Sequence, residues 1–464
     1  MNRSYEAGLA SLAALFFPFW ISLAQAQETI REKIEHRITP QVMKRCNIKS
    51  AAHISDSFFG GEFNSIVLAR NADGCEFNLR GEILNPNSAE CPTLPAVAVV
   101  RIPDSIDSIA PADQKLFTFM GGGGFTASTL GAVGPGPLLM KAGGIYVSSK
   151  VDPLPLVRHN QQTASSFTFL ATLESGLTPN ERRGLSRNLL VRDLQECLFE
   201  VLDLHPGRRV LGAVSQGGFL GNPFALLTQD PGEPPVAPED APYQVGLLVS
   251  TGWDVKDYLE LILEGAKGDE FNSLGVRSDY YVPSHLPVPG FVYNDFAARF
   301  FPISPESTIA INQGTLDIRS LDLDGPDWMG EFHQMTPDAD RIPAVPMVFL
   351  FGQADGSVGE ATLRAAQIYT DNLVANGMEE IASTRVMMYQ FKDRGHFGLA
   401  MILNTVNNGF LIVDHLLNGT EVPPDLQFFS TSPTVSTYSD AYLGFPTDHY
   451  AAFEAISGRA VESH

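Results

Sequence analysis

The sequence predicts an α/β protein with a mostly parallel sheet, helices on both faces, and an inserted cap. Two observations point there. Short runs that are apolar throughout, rather than alternating, read as strands buried on both faces. Amphipathic helical patterns separate several of these runs, which gives the β–α rhythm of a crossover-built sheet.

The elements come in chain order. Arg3, an apolar run from Leu9 to Leu23 and the small residues Ala24-Gln25-Ala26 make residues 1–26 a signal peptide by pattern. No other stretch is long and apolar enough to span a bilayer. The mature chain is therefore expected outside the cytoplasm, secreted or periplasmic. Residues 27–95 read as an irregular, partly β section. Strands are expected at Ala96–Ile102, Leu116–Met120 and Gly144–Ser149, then a helix over about Asn180–Leu204. Further strands are expected at Val210–Val214, Val245–Ser250, Val345–Phe351 and Arg385–Phe391. A helix fills about Val358–Asn376, and another follows His396. Residues 231–243, rich in proline and acid, read as a rigid surface loop.

The core is thus expected in 96–251 and 343–464, with 252–342 as a cap or lid. That span is too long for a plain connection between two core strands. It carries Phe291, Tyr293, Phe296, Phe300 and Phe301.

The formal net charge is −22, from 31 Lys+Arg against 53 Asp+Glu. This argues against nucleic acid and anionic membrane surfaces as partners. The oligomeric state is left open. The four cysteines, Cys46, Cys75, Cys91 and Cys197, allow three pairings, and an exported chain can form disulfides. Cys197 lies in a helical pattern and could reach back to the N-terminal section. No Cys-x-x-Cys or His-x-x-x-His spacing occurs, so no metal is expected from local motifs.

Ala213-Val214-Ser215-Gln216-Gly217 follows an apolar strand and has small residues on both sides of the serine. This is the layout of a nucleophile elbow, with Ala213 where glycine is usual. A serine hydroxyl needs a base to accept its proton and a third group to orient that base. Asp355 lies in Gly352-Gln353-Ala354-Asp355-Gly356, directly after a predicted strand. His396 lies in Lys392-Asp393-Arg394-Gly395-His396-Phe397, after the last one. Each residue alone has an ordinary reading as a turn or cap residue. Three in order, each past a predicted strand, are hard to obtain by chance. Met120-Gly121-Gly122-Gly123-Gly124-Phe125 also follows a predicted strand. Its glycines can bring backbone N–H groups close to a substrate oxyanion. A phosphate loop would need Lys-Ser or Lys-Thr after the glycines, where Phe125-Thr126 stands.

On these residues the chain resembles the α/β-hydrolase superfamily over about Ala96–Leu417. The resemblance implies Ser215 as nucleophile, Asp355 as acid and His396 as base. Asp254, in Thr251-Gly252-Trp253-Asp254, holds the alternative place for the acid. It implies oxyanion donors from Gln216 and from Gly122, Gly123 and Gly124. The glycine run is similar to the His-Gly-Gly-Gly loop of esterases, with Met120 in place of His, and to that of tannase and feruloyl esterase relatives. Val214 stands where those relatives usually carry cysteine. The expected activity is hydrolysis of a small-molecule or oligomeric carboxylic ester, without metal or cofactor. The alternatives are a serine peptidase of the same fold, with Glu260 and Glu264 binding a free amino terminus, and a non-catalytic binding protein on the same scaffold.

The small-polar-small triplet after the apolar run fixes an expected mature N-terminus at Gln27. Intact-mass spectrometry of the exported protein checks it, and residues retained upstream of Gln27 would contradict it.

Overall fold

The computed structural model describes residues 28–56, 61–85, 88–91, 95–121, 140, 144–151, 194–205, 207–214, 217–218, 223–234, 236–237, 239–252, 340–352, 356–391 and 412–421. Two helices open the described chain, α1 (Ile30–Arg37) and α2 (Pro40–Arg45). The strands are β1 (Ile48–Asp56), β2 (Gly61–Arg70), β3 (Ala96–Pro103), β4 (Lys115–Met120), β5 (Gly144–Val151) and β6 (Arg208–Val214). They continue with β7 (Thr228–Gln229), β8 (Val245–Val249), β9 (Ile342–Pro343), β10 (Met347–Gly352) and β11 (Val386–Phe391). A π-helical turn, Leu194–Phe199, runs into α3 (Glu200–Leu202). Then come α4 (Phe224–Leu227), α5 (Gly356–Ala375), α6 (Glu379–Arg385) and a helical stretch over residues 412–417.

Among the described residues, nine strands form one sheet in the order β1-β2-β3-β5-β4-β6-β8-β10-β11. The six strands from β5 to β11 in that order are all parallel. β3 runs antiparallel to β5, and β1 and β2 extend this antiparallel flank. The protein is therefore α/β, with a large, mostly parallel mixed sheet. β7 and β9 pair separately as a short antiparallel ribbon.

Both faces of the sheet are covered, as strands apolar throughout require. On one face Leu116, Ile145, Val147 and Val100 pack with Ile30 and Ile34 of α1 and with Leu194, Leu198 and Leu202. Farther along the same face α5 lays Ala365, Ala366, Tyr369 and Leu373, spaced at helical period, over Met347, Phe349 and Met388. Phe224 of α4 stacks between Tyr369 at 5.6 Å and Phe349 at 6.5 Å. On the opposite face Phe117, Phe119, Val210, Leu247, Val348 and Tyr389 pack with Ile412 and Val413. Lys115, at the start of β4, pairs with Asp414 and ties that last helical stretch to the sheet.

The N-terminal section is more regular than its composition indicates. Thr29 caps α1 in a reciprocal box with Glu32, and the Asp107 carboxylate accepts the Ile30 N–H at 2.9 Å. β1 and β2 then join the main sheet rather than forming a separate unit. The structure pairs Cys46 with Cys197 and Cys75 with Cys91. The first bond ties α2 to the π-helical turn ahead of β6. Among the described residues, no helix is long and apolar enough to cross a membrane.

The two disulfides close chain separations of 151 and 16 residues. In the chain-entropy account these correspond to about 5 and about 3 kcal/mol. Cys46→Ala/Cys197→Ala should therefore lower the calorimetric melting temperature more than Cys75→Ala/Cys91→Ala. The reverse order would contradict that assignment of their roles.

Candidate active site

In an open α/β sheet, ligands bind outside the carboxyl ends of the strands, where adjacent strands connect onward in opposite directions. Here that point lies between β4 and β6. β4 leads to β5 on one side, and β6 leads to β8 on the other. The two strands are in parallel register from Lys115↔Arg208 to Met120↔Ala213. Their carboxyl ends are therefore level.

Along the chain, the candidate residues follow the carboxyl ends of β4, β6, β10 and β11. β4 ends at Met120 and passes to Gly121. Gly122, Gly123 and Gly124 come next and lie outside the described residues. β6 ends at Val214, and the next two residues, Ser215 and Gln216, also lie outside them. Gly217 and Gly218 are described and helical. A strand thus gives way to helix within two residues, the local course an elbow requires. β10 ends at Gly352 and α5 begins at Gly356, with Asp355 in the short undescribed link between them. β11 ends at Phe391; His396 falls in the undescribed residues 392–411. Asp254 lies two residues past Gly252, at the start of the undescribed span 253–339, which also holds Glu260, Glu264 and most of the expected cap.

The described residues at this edge are packed so closely that only glycine fits. A Cβ on Gly217 would stand 2.2 Å from the Met120 carbonyl oxygen and 2.8 Å from that of Gly121. The residue two past Ser215 is therefore pressed against the root of the glycine run. A Cβ on Gly218 would stand 1.9 Å from the Thr251 hydroxyl oxygen. The helical turn after the serine is wedged between the ends of β4 and β8. Deeper in the sheet, the Phe119 ring lies over Gly212, where a Cβ would come within 2.5 Å of it.

β8 ends in a strained residue. Ser250, expected as the last residue of this strand, leaves it with φ of 45°, a left-handed conformation that costs a serine free energy. Its N–H still donates to the Leu350 carbonyl at 2.7 Å, and its buried hydroxyl has no hydrogen-bond partner among the described residues. Val249 is in register with Val214, so this strain sits beside the end of β6. No pattern of residue types foretells it, because serine is an ordinary strand terminator.

Burial pushes the Tyr389 phenol, on β11, up to about 12. Among the described residues, the one group of three histidine and acid side chains with donor atoms close together, His53 with Glu62 and Asp104, lies at the opposite end of the sheet.

No family model matches the chain, and no curated protein does. Solved structures do match. The rice cell wall degrading esterase LipA from Xanthomonas oryzae is 12% identical, with 81% of this chain and 100% of that chain covered at a TM-score of 0.42. A putative hydrolase from Legionella pneumophila is 10% identical, with 81% and 100% covered at 0.40. An α/β-hydrolase enzyme from a Medee basin deep-sea metagenome library is 10% identical, with 71% and 96% covered at 0.35. These matches are esterases and hydrolases. At such identities and scores the likenesses are faint, and this chain's own strand ends and close contacts carry the functional reading.

Gly217→Ala should cost about 1–3 kcal/mol by urea unfolding, since the new methyl meets backbone that cannot move aside cheaply. Gly232→Ala, with nothing within 4 Å of the added carbon, is the neutral control. Equal stability of the two variants would contradict the described packing.

Proposed function

We propose that the chain is an exported serine hydrolase of the α/β-hydrolase fold that cleaves carboxylic esters through an acyl-enzyme. The observation that carries the proposal is the contact of Gly217 with the Met120 and Gly121 carbonyls. It roots the chain just past Ser215 against the chain that opens the glycine run, at the switch point of the sheet. A nucleophile and its oxyanion donors must be neighbours, because both act on one carbonyl group.

In this reading Ser215 Oγ attacks the ester carbonyl carbon. His396 takes the hydroxyl proton, then gives it to the departing alcohol. Asp355 holds the imidazole in one tautomer and stabilises its protonated form. The Gln216 N–H, with N–H groups from Gly122, Gly123 and Gly124, stabilises the tetrahedral oxyanion. Water then attacks the acyl-enzyme by the same route. The reaction needs no metal or cofactor.

Chain reach is compatible with these roles. Strands lie about 4.8 Å apart, so β11, three positions from β6, is about 14 Å away. His396 is five residues past Phe391, and five extended residues span up to about 17 Å. Asp355 is held close on both sides, three residues past Gly352 and one before α5. Asp254 opens a span of more than eighty undescribed residues and has no such second anchor. The two disulfides support export, since such bonds persist in oxidising compartments. The aromatic residues of the cap favour uncharged esters with medium-length or aromatic groups, including polyester oligomers.

Ser215→Ala should lower kcat/KM on a p-nitrophenyl ester by about 10⁴ or more, with the melting temperature unchanged. Asp355→Asn should cost about 10³–10⁴, and Asp254→Asn less than about tenfold. Activity of Ser215→Ala within about tenfold of the parent would sink the proposal. On a matched ester and anilide pair, the parent should prefer the ester; preference for the anilide would make it a peptidase.

A further inference from the structure

We propose that His53, Glu62 and Asp104 form a binding site for a divalent cation, with zinc the ion their donor set fits best. Three separate chain segments bring them together: the end of β1, the start of β2, and the first residue of the 3₁₀ turn Asp104–Ser108 after β3. Cross-strand register places His53 opposite Asn64 and Ser55 opposite Glu62, so His53, Glu62 and Asn64 share one face. His53 Nε2 lies 2.9 Å from Asp104 Oδ2 and 4.0 Å from Glu62 Oε2. One donor atom from each residue lies within 4.8 Å of the others.

An imidazole nitrogen and carboxylate oxygens bind zinc at about 2.0–2.2 Å, which spaces tetrahedral ligands about 3.4 Å apart. The observed separations bracket that value, so small side-chain adjustments suffice. Asn64 supports the arrangement from behind. Its Nδ2 donates to Asp104 Oδ1 at 3.0 Å, which leaves Oδ2 turned toward His53. The charge balance also fits a cation. Two carboxylates face one imidazole, and among the described residues no lysine or arginine pairs with either. The glutamate is the most exposed of the three at 61%, so an ion has a route in from solvent. The nitrogen donor disfavours calcium and magnesium, which take oxygen.

The site lies at the amino end of the parallel block. β2 runs in the same direction as β5, so its first residues are at the edge opposite Ser215. Zinc there would clamp the β1–β2 hairpin to the end of β3 and take no part in ester cleavage. The residues 53, 62 and 104 form no local motif, which is why Cys and His spacing gave no metal.

The test is titration of the full-length, EDTA-stripped protein with zinc chloride by calorimetry, paired with melting curves. One equivalent should bind and raise the melting temperature. Glu62→Gln, at an exposed side chain, and His53→Gln should each weaken binding by at least about 100-fold, and Asn64→Ala by about tenfold. Absence of one-equivalent binding would overturn the proposal and leave a plain histidine–carboxylate pair. So would binding unchanged in Glu62→Gln and His53→Gln, which would place the zinc elsewhere.

Discussion

The pairing of β4 with β6 is the constraint on which the rest of the structure depends. The two strands run side by side from Lys115↔Arg208 to Met120↔Ala213, although β5 and a long stretch of chain lie between them in sequence. This pairing makes the switch point of the sheet and sets Met120, the residue ahead of the glycine run, beside Ala213 of β6. It also demands small residues at fixed places. Gly212 admits the Phe119 ring and Gly217 admits the carbonyls of Met120 and Gly121. A bulkier residue at either place would push the two strand ends apart.

The neighbouring β8 shows what such close assembly costs. Ser250 is held at φ of 45° with its hydroxyl buried and unpartnered among the described residues, while Val249 beside it keeps register with both Val214 and Leu350. A strand that ended without strain would carry the chain onward along the sheet. Instead the backbone turns at Ser250, and Thr251 meets Gly218. Strain of this kind persists only where surrounding packing over-determines the conformation. Here the core beneath it, from Leu211 and Leu248 to Phe349, is fully buried.

The strands were legible because parallel strands buried on both faces are apolar throughout. β3, β4, β6, β10 and β11 fall within two residues of their expected limits. Direction was not legible, since β3 runs antiparallel to β5 with a composition like that of its parallel neighbours. α1 was missed because only Ile30 and Ile34 face the core in a polar helix, although the Thr29–Glu32 capping box was a readable signal. β1 was obscured by its half-exposed, mixed composition. The candidate triad was readable as motifs after strands. The close contacts of Gly217 on Met120 and Gly218 on Thr251 join residues far apart in sequence and have no local signature. The cluster of His53, Glu62 and Asp104 is hidden for the same reason.

Whether Ser215, the residue after β6 in sequence, is a nucleophile activated by a base is tested most directly by covalent labelling with a fluorophosphonate, mapped by peptide mass spectrometry. A base-activated Ser215 predicts one label per chain, on the peptide containing it, and loss of labelling in His396→Ala. Labelling confined to a different serine, or none in the folded protein, would contradict it.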